Sequence, residues 1–178
     1  MTLTREQVLF TLATTALVLI VVAQTWSWLT GTASVPTWRW DIPALGMGVA
    51  LGLGLNGLGL LTYYLWPGFQ EATAAYLTLV LRPLRVGDIL WLGLLPGLSE
   101  EFLFRGVALD SLGLVGSSLL FGGLHLLELR HWPYALWAAV VGFVLGLAMV
   151  GSGNLLVPVV AHIVNNWLAG LFWYRRAQ

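Results

Sequence analysis

Long apolar runs, separated by short polar connections, dominate this chain of 178 residues. Six of these runs are close to the length that crosses a bilayer as a helix. That length is roughly 20 residues, at a rise of about 1.5 Å per residue. They cover residues 8–29, 43–66, 89–109, 112–128, 134–150 and 155–174. Lipid offers backbone groups no hydrogen-bond partner, so all of these segments should be helices. The pattern predicts an all-α fold, a polytopic membrane helical bundle of about six transmembrane helices that forms a single membrane domain over 1–178.

A further segment, 69–83, is shorter and carries charges near both ends, at Glu71 and Arg82. It is compatible with either crossing the bilayer or lying flat as an interfacial helix, and the sequence leaves both open. If it stays on one side, six arginines fall on the side of both termini and only Arg39 falls on the other. By the positive-inside rule, the arginine-rich side and the C-terminus are then cytoplasmic.

Composition supports a membrane protein and excludes several other classes. The chain is 58% hydrophobic and 9% charged, against about 25% charged residues in a soluble domain. Many of its ten Trp and five Tyr stand at the ends of apolar runs, as in the aromatic belts of membrane proteins. The formal net charge is zero and no basic tract is present, so no nucleic-acid partner is expected. Cysteine is absent, which excludes disulfides and Cys-ligated metal centres.

Small residues recur at intervals of four in the second apolar run. They are Gly48, Gly52 and Asn56 on one stripe, and Gly46, Ala50 and Gly54 on another. Such spacing lets membrane helices approach closely. We interpret both stripes as packing surfaces without chemistry.

Three charges, Glu100, Glu101 and Arg105, interrupt the third run. Ionisable groups at membrane depth cost several kcal/mol unless they are paired or face a cavity, so they mark functional sites. On a helix, Glu101 and Arg105 share a face and can form an ion pair, whereas Glu100 points about 100° away. Glu100, desolvated beside a second negative charge, suits a general acid or base. The Glu101–Arg105 pair suits a network that supports the site.

Two later runs each carry a histidine with a partner on the same helix face. Phe121 precedes His125 by four residues, and His162 precedes Asn166 by the same interval. An imidazole and a carboxamide side by side can donate hydrogen bonds to a developing oxyanion. Asn165 is the weaker candidate because it points away from that face. Either histidine alone also fits a simple interhelical hydrogen bond, but three polar motifs on three apolar helices favour one shared site.

In their order and spacing, these motifs resemble the signature of the CPBP intramembrane proteases, relatives of the CAAX-prenyl endopeptidases and the bacteriocin-processing Abi proteins. The matching patterns are Glu-Glu-x-x-x-Arg at 100–105, Phe-x-x-x-His at 121–125 and His-x-x-x-Asn at 162–166. The resemblance covers about 88–174, which would be the catalytic core, and the N-terminal half resembles nothing specific. It implies a helical membrane enzyme whose polar residues converge on a cavity.

Carried over by motif, the resemblance implies that Glu100 and His125 activate a water molecule. His162 and Asn166 would stabilise the oxyanion, and Glu101 and Arg105 would support the site. We expect no cofactor and no metal. The alternative is a zinc ion held by Glu100, His125 and His162 with a water as fourth ligand.

We therefore expect an intramembrane endopeptidase that acts on a membrane-associated peptide or protein, in a prokaryotic cytoplasmic or internal membrane. CAAX processing itself is not the expected reaction, because it needs a prenylated cysteine on a partner. The competing hypothesis is a scaffold or assembly subunit of a membrane complex, built on the same fold without proteolysis. The expected partners are membrane lipid and the substrate, or a membrane-complex partner under the scaffold hypothesis.

Overall fold

The computed structural model describes residues 3–32 and 37–177, and within these two ranges the secondary structure is helical, without strands. The helices are α1 (Arg5–Thr30), α2 (Ile42–Leu65), α3 (Pro67–Leu81), α4 (Ile89–Leu103), α5 (Leu109–Leu124), α6 (Trp132–Ser152) and α7 (Leu156–Ala177). Among the described residues, five helical segments are long and apolar enough to span a membrane. They are Arg5–Thr30, Ile42–Leu65, Val86–Leu124, Leu129–Ser152 and Leu156–Arg176. The predicted all-α membrane bundle is confirmed.

Two of the six expected spans follow each other directly in the structure and are separated only by a kink. Residues 89–109 and 112–128 both fall largely within Val86–Leu124, which is 39 residues long. A straight helix of that length would measure about 58 Å, far more than one bilayer crossing. The stretch instead changes direction at Gly113 (φ 70°, ψ 175°). It also contains Pro96 inside α4 and a turn of π-helix at Phe104–Ala108.

Local sequence explains where several helices begin and end. The Thr4 hydroxyl accepts a hydrogen bond from the Gln7 N–H, and the Gln7 side chain accepts one from the Thr4 N–H, which together form a capping box at α1. Asp41 caps α2 by accepting from the Ala44 N–H at 2.7 Å. Gly31 and Gly153, in the left-handed conformation, end α1 and α6.

Glycines set the closest helix contacts. Gly48 and Gly52 of α2 are buried and lie against α7, and Gly97 of α4 also contacts α7. In contrast, a side chain at Gly46 or Gly54 would meet nothing within 4 Å. Only one of the two predicted stripes is therefore a packing surface in the described part of the chain.

Contacts also indicate how the arginines are distributed. Arg5 forms an ion pair with the buried Asp88 at 2.6 Å, which joins the start of α1 to the start of α4. Arg176 donates to the Tyr64 hydroxyl at 3.1 Å, so the end of α7 lies beside the end of α2. Arg39 lies at the other end of α2 and α7, where its N–H donates to Asn154. This arrangement agrees with six arginines on one side of the bundle.

The helix α3 is not among the candidate spans. Phe69 near its start and Leu81 at its end belong to one buried cluster with Val8, Tyr63 and Trp173, which come from the arginine-rich ends of α1, α2 and α7. This placement favours the interfacial alternative for residues 69–83.

Gly52→Ala should destabilise the bundle. Its added methyl group would lie 2.7 Å from the Ala161 carbonyl oxygen and 2.8 Å from the Val164 Cβ, and overpacking of this kind costs about 1–3 kcal/mol. Denaturant titration in detergent micelles measures the loss. Gly54→Ala is the matched control and should leave the free energy of unfolding unchanged or raise it, since its methyl group meets no neighbour. Equal stabilities for the two variants would contradict this packing.

Candidate active site

A buried ionic network joins three helices. Glu101 of α4 is fully buried, and its Oε1 accepts hydrogen bonds from Arg105 Nη1 at 2.8 Å and His162 Nδ1 at 2.7 Å. Arg105 Nη2 also donates to the Gly142 carbonyl oxygen of α6 at 2.8 Å. The predicted i,i+4 ion pair is therefore present, and it reaches α7 through the imidazole of His162. Burial makes such contacts costly to break, because each lost partner leaves an uncompensated charge.

The neighbouring carboxylate, Glu100, points away from this network, as its position on the helix predicts. Its Oε2 atom lies 4.0 Å from His125 Nε2 and 3.9 Å from His162 Nε2. This oxygen is buried and has no hydrogen-bond partner within the protein. The separations are too long for direct hydrogen bonds, so an interaction among these groups would have to pass through a water molecule.

Hydrogen bonding assigns the tautomers of both histidines. His125 Nδ1 lies 2.8 Å from the Phe121 carbonyl oxygen, which only accepts, so Nδ1 carries the proton. His162 Nδ1 likewise donates to Glu101. Both rings therefore turn Nε2 toward Glu100. His125 Nε2 is free to accept a proton, and His162 is able to donate from Nε2 only when the ring is doubly protonated.

Phe121 packs among the charged and aromatic groups of the site. Its ring centroid lies 4.7 Å from Arg105 Cζ, 4.6 Å from the His125 ring and 6.0 Å from the His162 ring. The guanidinium on its face is a cation–π contact. Sequence reasoning placed Phe121 on the same face as His125 but gave it no task. In the structure it separates Arg105 from His125 and fixes the spacing between the network and the reacting groups.

A cavity of about 200 Å³ opens beside these side chains. That volume accommodates several water molecules at about 30 Å³ each. Four predicted site residues, Glu100, His125, His162 and Asn166, all line it. Glu101 and Arg105 are buried behind the wall and do not line it. The structure thus brings the four predicted reacting groups to one space and keeps the supporting pair outside it.

Several cavity residues were missed by sequence reasoning. Asn165 was expected to point elsewhere, but it lines the cavity and donates weakly to Asn166 Oδ1 at 3.4 Å. Tyr134 and Tyr76 also line the cavity and stack with centroids 4.6 Å apart. Burial, and to a smaller extent the nearby carboxylate of Glu100, raise the pKa of Tyr76 to about 12. Its phenol therefore stays protonated near neutrality. No periodic signal marked the two tyrosines, because Tyr134 lies near the start of α6 and Tyr76 lies on α3.

The geometry fits the zinc alternative less well. Ligands of a tetrahedral zinc ion at about 2.0–2.1 Å lie about 3.3 Å from one another. Glu100 Oε2 is 3.9–4.0 Å from the two imidazole nitrogens. Over residues 3–32 and 37–177, no group of three or more His, Asp or Glu side chains is arranged to hold a metal ion.

Comparison with known proteins supports the same class. Residues 82–168 match the family model described as type II CAAX prenyl endopeptidase Rce1-like. This match includes all three motifs and confirms the resemblance seen in the sequence. Over this region, the chain is similar to the type II CAAX prenyl endopeptidases, and with its five apolar helices it is an integral, multi-pass membrane protein.

A curated relative also matches part of the chain. It is the Bacillus subtilis (strain 168) protein named "Uncharacterized protein YpbD", which is 41% identical over 79 residues. The match covers 44% of this chain and 42% of the relative, so the chain spans less than half of that protein's length. No solved structure matches the chain.

The two adjacent glutamates should differ sharply in their effect on stability. Glu101→Gln removes the counter-charge of the buried Arg105, and breaking one partner of a buried pair costs about 3–5 kcal/mol. Glu100→Gln removes a carboxylate whose nearest ionisable partners are 3.9–4.0 Å away, and should change the free energy of unfolding by less than about 1 kcal/mol. Denaturant titration of both variants measures the difference. If Glu100→Gln were the more destabilised variant, the division of roles would be wrong.

Proposed function

We propose that this protein is an intramembrane endopeptidase that hydrolyses a membrane-associated peptide or protein with a water molecule activated by Glu100 and His125. The observation that carries the proposal is the unpartnered Oε2 of Glu100, buried 3.9–4.0 Å from two imidazole nitrogens at the edge of a cavity. A buried carboxylate oxygen without a protein partner is costly, and such sites are typically functional. The family match supports peptidase chemistry.

In the proposed reaction, Glu100 takes a proton from a water molecule held between it and His125. The hydroxide attacks the carbonyl carbon of the scissile amide, and the carbonyl oxygen becomes an oxyanion. The Asn166 amide and the Nε2–H of protonated His162 donate hydrogen bonds to this oxyanion. As the tetrahedral intermediate collapses, the C–N bond breaks and the leaving nitrogen takes the proton that the water lost. The products are a carboxylic acid and an amine.

The supporting network has a defined part in this scheme. Glu101 accepts from Nδ1 of His162, which holds the ring so that Nε2 faces Glu100 and the cavity. Donors that are held in place before the reaction stabilise an oxyanion without reorganisation at the moment of attack. Glu101 and Arg105 therefore act as positioning residues and do not touch the substrate.

The proposed substrate is a peptide with apolar residues, since the cavity is also lined by apolar side chains such as Leu77, Val80 and Trp173. We further propose that the natural membrane is prokaryotic and that the C-terminus is cytoplasmic, on the side that carries six of the eight arginines.

Hydrolysis is tested with purified protein in lipid nanodiscs and a pool of apolar decapeptides, with mass spectrometry to detect new termini. Glu100→Gln and His125→Ala should each lower the cleavage rate by about 10²–10⁴-fold, the usual contribution of general acid–base catalysis, and both proteins should remain folded. Glu128→Gln is the matched control, because Glu128 is exposed and pairs with Arg130 outside the cavity, and its rate should equal that of the unchanged protein. Full activity of Glu100→Gln would overturn the mechanism.

Two further outcomes decide between the alternatives. Cleavage should persist after incubation with 1,10-phenanthroline, whereas loss of activity that added Zn²⁺ restores would establish the zinc mechanism. If the unchanged protein cleaves no peptide and purifies with a stoichiometric membrane partner, the scaffold hypothesis replaces the enzyme.

A further inference from the structure

The hydroxyl of Thr73 on α3 differs from the other buried hydroxyls of the described residues. Four buried serines donate to backbone carbonyl oxygens at 2.6–3.0 Å, and the members of this set are Ser27, Ser99, Ser117 and Ser118. Thr73 is 5% exposed, yet its Oγ1 has no partner in the protein. A buried hydroxyl without a partner is unfavourable by about 1–3 kcal/mol. This position therefore calls for a group from outside the protein.

The face of α3 that carries Thr73 forms one wall of the catalytic cavity. Phe69, Thr73, Tyr76, Leu77 and Val80 all line it, at the three- and four-residue spacing of one helix face. Four of these five side chains are apolar or aromatic, and only Thr73 presents an aliphatic hydroxyl. This wall thus carries one small donor and acceptor, which the protein leaves without a partner.

From this placement we infer that Thr73 binds the backbone of the substrate peptide in the cavity that the reacting groups also line. The inference rests on the proposed function. An extended peptide carries one N–H and one C=O per residue, and each requires a partner once it is buried. A hydroxyl both donates and accepts, so it suits either group. A lipid acyl chain would need no such partner. The segment 82–168 that matches the family excludes α3, so Thr73 is a contribution of the N-terminal half of the chain.

Thr73→Val keeps the shape of the side chain and removes the hydroxyl. Using the decapeptide that the unchanged protein cleaves fastest, KM should rise about 2- to 12-fold, the loss expected for one neutral hydrogen bond. The kcat should change by less than about twofold, since the contact is made equally in the enzyme–substrate complex and in the transition state. Thr73→Ser should restore KM. The unfolding midpoint of Thr73→Val should be unchanged or higher, because no internal hydrogen bond is lost.

Thr62→Val is the matched control. The Thr62 hydroxyl donates to the Leu58 carbonyl oxygen of its own helix at 2.8 Å and lies outside the cavity, so this variant should leave KM unchanged. An unchanged KM in Thr73→Val would overturn the inference, as would a fall in its unfolding midpoint, which would show that the hydroxyl serves the fold or a resident water.

A binding measurement separates this inference from the proposed hydrolysis. In the Glu100→Gln background, a fluorescein-labelled pool of the same decapeptides should bind 2- to 12-fold more weakly when Thr73→Val is added, by about the same loss of one hydrogen bond. This result would support the Thr73 contact even if the unchanged protein cleaved nothing, in which case the proposed function alone would fail. Equal binding with and without Thr73→Val, or no binding to either protein, would overturn the contact.

Discussion

A triad of ionisable side chains buried in an apolar bundle is the constraint on which the rest of this structure depends. Glu101, Arg105 and His162 are almost fully buried, and burial of charge is tolerable only when every charged group finds a partner. The partners come from α4, α6 and α7, so satisfying the charges fixes how these helices sit against one another. Glycine at the contacts of α4 with α7 lets the backbones come close enough for the hydrogen bonds to form.

The triad also explains why adjacent glutamates behave differently. Because Glu101 is committed to Arg105 and His162, helix geometry turns Glu100 toward the cavity. The histidine that holds Glu101 through Nδ1 presents Nε2 to Glu100. One imidazole thus connects the supporting network to the proposed reacting centre. The irregular backbone that surrounds the pair, with Pro96 before it and the π-turn after it, is of the kind often found at functional sites.

Sequence periodicity was sufficient to predict which side chains contact each other or share a face within one helix. The Glu101–Arg105 pair, the shared face of Phe121 and His125, and the shared face of His162 and Asn166 all follow from a four-residue interval. Hydropathy likewise predicted the helices. Its boundary between 89–109 and 112–128 lies beside Gly113, whose non-helical backbone with positive φ separates two helices.

Contacts between helices were harder to predict, since they depend on how each helix is rotated about its axis. Two glycine stripes of equal spacing occur on α2, but only the one with Gly48 and Gly52 packs against α7. Similarly, Asn165 lines the cavity beside Asn166. The contribution of α3 could not be predicted from the sequence either, because Thr73 and Tyr76 reach the cavity only through the tertiary arrangement of the helices.

The most direct test of the account is an experimental structure of the Glu100→Gln protein with an uncleaved apolar decapeptide bound. The account predicts an extended peptide in the cavity with one carbonyl oxygen within about 3.2 Å of both the His162 Nε2 and the Asn166 amide nitrogen. The carbon of that carbonyl should face the side chain at position 100. A peptide bound elsewhere, or one whose carbonyl groups all lie beyond hydrogen-bond reach of these two side chains, would contradict the account.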